Sequence, residues 1–381
     1  MLSHGQVRIF LQWLRYVIEE VLWERPHVIV NVDETSLHTV HHDGCGLASR
    51  SQRRSTRTRK RPLDVNDRFY TKVTYVVVVC DAPALQPLLP QVILPRYSQN
   101  QRPPAHIMVA LEQQGFPFEF WHGTRGVMTP TIVKAWATGL RRVINSFNED
   151  AWTLLLMDCD SRHLCIDTVT HFRRLGFLVV PVPARLTWLL QVLDVYVFAE
   201  LKQQIRMQEA RLRLSSRTGQ LHALDRMKIA CRSIRKCIVN TDWAESFSKL
   251  GCGSDGRPTA SGLQQYMSEE AMQPRLPSLE EFAEIVARPA HTQLTRRLYH
   301  MILQSTLNVG RSPQDAHPPR AAPLLLPDSY VAQPRGKNAA VRNDLADDIL
   351  DEFLEENDGV SLMLTAPQDG RNFFPLRRSD A

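Results

Sequence analysis

The 381-residue chain predicts an α/β domain built on a mixed sheet, and three observations carry that prediction. Short, β-branched apolar runs alternate with segments of helical periodicity. The first strands come as an antiparallel hairpin, whereas each later strand follows a helix. Three apolar runs also deliver an aspartate: Val28-Ile29-Val30-Asn31-Val32 leads to Asp33, Leu154-Leu155-Leu156-Met157 to Asp158, and Leu189-Leu190-Gln191-Val192-Leu193 to Asp194. Strands first antiparallel and then alternating with helices give a mixed sheet covered on both faces.

In chain order, residues 4–24 read as a helix. Ser3 and Gln6 have capping-box spacing, and Ile9, Phe10, Trp13, Leu14, Val17, Ile18, Val21 and Leu22 recur at helical intervals until Pro26 stops the run. Residues 27–33 read as a buried strand that ends in the acid, followed by a polar loop over 38–70. Val73–Cys80 is a strand, Pro83 to Pro87 a turn, and Leu88–Leu94 the returning strand, weakened by Pro90. Residues 100–128 read as irregular. Thr129–Phe147 carries Ile132, Val133, Trp136, Leu140, Val143 and Ile144 on one helical face. Trp152–Met157 is a strand, His163–Leu175 a helix closed by Gly176, and Phe177–Pro181 a strand. A helix over Val195–Leu214 is entered directly from Asp194. Further helices fall in 219–250 and 278–305, including Leu279–Val286 and Thr292–Leu303, and six prolines between 308 and 340 mark a disordered linker.

Charge is unevenly spread. Residues 341–381 hold ten acids against four arginines, so the tail is −6 and residues 1–340 are +12 within a chain of net +6. A basic body suits a polyanionic partner. The seven cysteines (45, 80, 159, 165, 231, 237, 252) form no CxxC pair and no zinc-like spacing, which reads as reduced thiols of an intracellular protein. Arg8, Arg15, Glu19 and Glu20 interrupt the N-terminal apolar stretches, so no signal peptide is expected. No apolar run approaches the ~20 residues needed to span a bilayer, and no membrane partner is expected.

Three carboxylates at the ends of buried segments suggest a site for divalent metal, because hard cations take oxygen ligands and pairs of them serve where phosphodiesters are cut. Each acid alone reads equally well as a turn residue or, for Asp194, a helix cap. Asp160 lies two residues beyond Asp158, on the same side of an extended strand, and competes with it as a ligand. Glu34 faces away from Asp33 and reads as structural. His163 reads either as a contact to phosphate or to a ligand carboxylate, or as a plain helix-start histidine. Arg50, Arg53, Arg54, Arg57, Arg59, Lys60 and Arg61, with no acid among them, read as a DNA-backbone grip, a nuclear localisation signal, or both. His41-His42 has no assignment, and the cysteines read as core thiols. In the tail, Leu345, Ile349, Leu350, Phe353 and Leu354 stripe an acidic helix over 343–357. It would dock on a protein partner, fold back on the basic body, or stay solvated.

Asn31-Val32-Asp33-Glu34-Thr35 resembles the first-acid motif of mariner/pogo-type DDE transposases. Leu154 to Asp158, with His163 five residues on, is similar to their second-acid strand. Pro183-Ala184-Arg185-Leu186-Thr187-Trp188-Leu189-Leu190-Gln191-Val192-Leu193-Asp194-Val195, followed by Phe198 and Lys202, is similar to their third-acid segment. Asp242-Trp243, Ser246-Phe247 and Gly251 resemble the helical end of those catalytic domains. The resemblance covers residues 5–255 and implies an RNase H-like fold with a mixed five-stranded sheet flanked by helices, a helical C-terminal extension and a disordered acidic tail. It divides the chain into an N-terminal linker helix (1–26), an RNase H-like DDE catalytic domain (27–216), a helical extension (217–307) and a disordered Pro-rich linker with acidic tail (308–381). By the same resemblance, Asp33, Asp158 and Asp194 would hold two Mg²⁺ or Mn²⁺ ions for DNA cleavage and strand transfer in the nucleus. Double-stranded DNA is the partner implied, with a homodimer as the assembly. The chain departs from the family's usual pattern at Cys159, where Asn is usual, and at Val192, where Pro is usual. With 26 residues before the first strand, an N-terminal helix-turn-helix reader of transposon ends is not expected. Those departures suit the alternative, a catalytically inactive transposase-derived DNA- or chromatin-binding protein.

Overall fold

A computed structural model describes residues 4–37, 73–95, 118–120, 126–215, 221, 223–253, 257–309 and 318. The basic run 50–61, His41-His42, the Pro-rich linker apart from Pro318, and the acidic tail lie outside them.

The chain folds around one mixed sheet. Its strands are β1 (His27–Leu37), β2 (Val73–Cys80), β3 (Gln91–Pro95), β4 (Phe118–Phe120), β5 (Trp152–Met157) and β6 (Phe177–Pro181), ordered β4-β3-β2-β1-β5-β6. β1–β2 and β2–β3 are antiparallel, while β1–β5, β5–β6 and β3–β4 are parallel. β5 and β6 are buried along their whole length, which explains their unbroken apolar sequences.

The five strands expected from the sequence are all present. The sixth, β4, falls in the stretch read as irregular: three residues next to Pro117 are too few to show a period of two. β3 starts at Gln91 rather than Leu88, because Gln86–Leu88 closes a 3₁₀ turn ahead of Pro90, which has no N–H for the ladder. β1 does not end in its acid but runs four residues past it, to Leu37.

The helices are α1 (His4–Arg15, extended by a π turn over Tyr16–Val21), α2 (Pro130–Phe147), α3 (Ile166–Arg174), α4 (Thr187–Leu190), α5 (Phe198–Ser215), α6 (Ala223–Ile234), α7 (Ala244–Phe247), α8 (Ser261–Gln264), α9 (Leu279–Ile285) and α10 (Gln293–Leu307). Thr129 caps α2 by accepting from Ile132, and Ser278 and Glu281 form a capping box on α9. Gly176, at φ 74°, ends α3 and lets the chain turn straight into β6. The helix predicted from His163 starts at Ile166, so His163 lies in the turn before it.

The described residues all fall within one compact unit. Val7, Phe10, Trp13, Leu14 and Val17 of the first helix are buried in it. Gln6 Nε2 donates to the Glu284 carbonyl of α9 at 2.9 Å, and Ser3, the other half of the expected capping box, lies outside the described residues. Gln12 Nε2 donates to Glu270 O at 2.8 Å, and Trp13 meets Phe282 edge-on at 6.1 Å. The helical extension thereby closes over the N-terminal helix. It also reaches the segments that follow β6 and β5, where Ala184 N donates to Ile285 O at 3.0 Å and Arg288 Nη1 to Leu164 O at 3.0 Å. No described helix is long and apolar enough to cross a membrane.

Candidate active site

β1 and β5 run parallel, with His27 opposite Trp152 and Asn31 opposite Leu156. The same register carried two residues further sets Asp33 level with Asp158. β5 stops at Met157 while β1 continues, so past Asn31 the strand keeps only β2 as neighbour, with Asp33 opposite Val77. Asp33 therefore stands beside the edge that β5 vacates.

Asp194 arrives by a different route. After β6 the chain makes the single turn α4 and then a π turn, Leu193–Val197, whose first turn holds Asp194. The fully buried side chain of Asn31 fixes that arrival. Its Nδ2 donates to Leu156 O at 3.0 Å, and its Oδ1 accepts from Leu193 N at 3.0 Å. One amide therefore joins β1, β5 and the residue before Asp194. On β1, Asn31 and Asp33 share a face because side chains alternate. Val192, where the related pattern has Pro, is buried with φ −53°, close to the angle a proline ring would impose. The turn thus keeps the shape that aims Asp194, held by the Asn31 tie and by Val195 N donating to Gln191 O at 3.0 Å. Beyond it, Lys202 Nζ sits 5.5 Å from the centre of the Phe198 ring.

The electrostatics of Asp33 record the convergence. Burial, and then the neighbouring negative charge of Asp158, push its carboxyl up to about 8; Asp194 and Glu34 add to the rise, opposed by a 2.7 Å hydrogen bond from Glu34 N. An unfolded aspartate ionises near 3.8, so folding takes up a proton between those pH values and stability falls as pH rises from one to the other. Asp33→Asn removes that loss. In chelator-containing buffer the variant is expected to melt above wild type once the pH exceeds about 8, the difference shrinking toward pH 4. A melting difference that does not change with pH would refute this picture of Asp33.

His163 is the cation of the cluster. It is buried, its Nδ1 lies 2.6 Å from Asp158 Oδ1 and its Nε2 3.2 Å from Glu34 Oε1. Burial works against its charged form, but the hydrogen bonds to Asp158 and Glu34 outweigh that and hold the imidazole up at about 10. Asp158 is therefore oriented by a charged histidine that a second carboxylate holds from behind, an arrangement that fixes a ligand side chain. Glu34, expected to be purely structural, is part of the site through His163.

Asp160 is taken up elsewhere. Its carboxylate accepts from Arg162 Nε at 2.8 Å, Nη2 at 2.5 Å and backbone N at 2.8 Å, and the guanidinium holds its pKa down at about 2. Cys159 turns its thiol away from the acids: Sγ donates to Val182 O at 3.0 Å and Ile285 O at 3.4 Å, and burial pushes it up to about 12. It stitches the acid-bearing loop to β6 and α9. At the far end of the unit, Trp243 Nε1 donates to Ile238 O at 3.1 Å, Asp242 accepts from Ala244 N at 2.9 Å, and Gly251 has φ 89°.

The donor set is all carboxylate oxygen, which suits a hard divalent cation. Asp33 is held protonated first by burial and further by its acidic neighbours, and that added negative charge is what such a cation would relieve. Among the described residues no three His, Cys, Asp or Glu side chains are drawn together closely enough to enclose an ion as they stand. Asp158 spends Oδ1 on His163 and on Asp160 N, at 2.6 and 3.3 Å.

Residues 71–243 match the family model of the DDE superfamily endonuclease. The DDE match spans five strands, β2 to β4 on one side and β5 with β6 following, and includes Asp158, Asp194, His163 and Trp243; Asp33 lies ahead of it. With the mixed sheet flanked by helices, it supports an RNase H-like DDE nuclease domain. No curated protein and no solved structure matches the chain.

Proposed function

We propose that this chain is a DDE/DDD transposase-type endonuclease of the mariner/pogo kind, cutting double-stranded DNA and joining strands, with Asp33, Asp158 and Asp194 as the catalytic and metal-holding residues. The observation that carries the reading is that Asp33, already raised by burial, lies near enough to Asp158 and Asp194 at one end of the sheet for both to raise it further. Two Mg²⁺ or Mn²⁺ ions held there would activate water or a DNA 3′-hydroxyl and stabilise the departing oxygen of an in-line displacement.

The chain's own residues supply positioning. Asn31 anchors the segment that presents Asp194. His163, backed by Glu34, orients Asp158 and leaves the cluster less negative than three bare carboxylates. His163→Gln keeps a hydrogen-bonding group but no charge, and is expected to lower cleavage by about 10–100-fold, the usual cost of losing a group that orients a metal ligand. Cleavage at the wild-type rate in that variant would remove His163 from the mechanism. Arg50, Arg53, Arg54, Arg57, Arg59, Lys60 and Arg61 are proposed to grip the DNA backbone, and nuclear localisation, a homodimer and a tail that binds a protein partner or the basic body complete the reading.

The second reading, a DNA- or chromatin-binding protein without catalysis, draws on the His163–Asp158 pair, in which the second acid already has a cation. End-labelled duplex DNA separates the two. Divalent-metal-dependent products with 3′-hydroxyl and 5′-phosphate ends, lost in EDTA, support the nuclease; tight DNA binding without any such product supports the binder.

A further inference from the structure

Trp188 stands out among the described surface residues. It is 54% exposed, in a one-turn helix that leads through Gln191, Val192 and Leu193 to Asp194. Its neighbours Leu186, Leu189 and Leu190 are all buried, so the turn cannot rotate to hide the indole. Leu189 packs so closely on α8 that a methyl group at Gly262 would lie 3.2 Å from its Cδ1. The indole edge is tied as well: Nε1 donates to Arg185 O at 3.1 Å, leaving the ring faces uncommitted.

Arg185 is exposed, and its guanidinium makes no ion pair among the described residues. It holds φ 68°, a left-handed conformation that L-residues rarely adopt. The bend is pinned on both sides by Ala184 N to Ile285 O and Leu186 N to Pro183 O, each 3.0 Å. An exposed arginine on a pinned backbone thus lies three residues before a fixed aromatic face, on the segment that leaves β6 and leads to Asp194.

We propose that Trp188 is a stacking platform for an unpaired nucleobase of the DNA strand held at the three-acid site, with Arg185 contacting the phosphate beside it. This rests on the nuclease reading. Every base has a π-face, so stacking tolerates any sequence, and a neighbouring guanidinium neutralises the backbone. The occupant is an unstacked base, because a base within the duplex has both faces covered.

The test uses the full chain in Ca²⁺ or EDTA, with duplexes that are blunt or carry a short 3′ overhang with 2-aminopurine. Wild type is expected to quench the 2-aminopurine, and Trp188→Ala to lose the quenching and bind the overhang duplex about 5- to 100-fold more weakly, the range for one stacked base. Its affinity for blunt duplex should be unchanged. Trp188→Phe should keep part of the effect. Trp23→Ala, an equally exposed tryptophan before the opposite end of β1, should behave as wild type. Equal binding of both duplexes by Trp188→Ala and wild type, or equal weakening on both, would overturn the platform. So would Trp188→Ala dissolving a homodimer in sedimentation while leaving overhang binding intact. Trp188-dependent quenching in a chain that never cleaves would sink the nuclease reading alone. Cleavage without Trp188-dependent quenching would sink the platform alone, and a wild-type chain that binds no DNA would sink both.

Discussion

Asp33→Asn and Asp194→Asn are each expected to reduce divalent-metal-dependent DNA cleavage by about two to three orders of magnitude or more, the scale of removing one fixed stabiliser of transition-state charge. An amide keeps the shape of the side chain but supplies a weaker, neutral donor to a hard cation. The fold should survive, because both residues sit where the sheet opens and neither makes a side-chain hydrogen bond across elements. Asp33→Asn should even stabilise the metal-free protein above pH 8, so lost cleavage cannot be put down to unfolding. Affinity for DNA in EDTA should change little. Cleavage rates for each variant in Mg²⁺ and Mn²⁺, beside thermal melts, check this; a variant that cuts within a few-fold of wild type removes that aspartate from the site.

Asn31→Leu is expected to be the most damaging single change outside the acids. The leucine would fill a similar volume but leave Leu156 O and Leu193 N buried without partners. Leaving two such groups unsatisfied costs about 2–6 kcal/mol. The variant should also cut poorly well below its melting temperature, since Leu193 loses the tie that presents Asp194. Denaturant unfolding and cleavage rates measured together separate the two effects. If Asn31→Leu unfolds at the wild-type midpoint, the tie contributes no stability; if it then also cuts normally, Asp194 is positioned by something else.

Much of this site was legible in the sequence. The three acids stood out because each follows an apolar run, and the strands carrying Asp33 and Asp158 were predicted within a few residues of their bounds. What could not be read was how the elements meet. Asn31 appeared only as one polar residue inside a strand; its double hydrogen bond depends on the parallel register of β1 with β5 and on where the chain returns after β6. Glu34 was expected to be remote because side chains alternate along a strand. It joins the site because His163 reaches across the open edge beyond β5. The five-residue spacing of His163 from Asp158 was a usable signal for that contact, whereas nothing local announced Glu34 as its second partner. Cys159 and Val192 suggested a weakened site, yet the thiol is engaged away from the acids and Val192 holds a backbone angle compatible with proline. β4 was missed because three residues hold too little pattern.

The central claim is that Asp158 acts with Asp33 and Asp194 in one metal-dependent DNA-cutting site. Nicking of supercoiled plasmid in Mn²⁺ by wild type beside Asp158→Asn tests it most directly. The account predicts nicking by wild type that EDTA abolishes, and none by the variant although it stays folded and binds DNA. Equal nicking by both proteins, or none by a folded wild type that binds both Mn²⁺ and DNA, would contradict it.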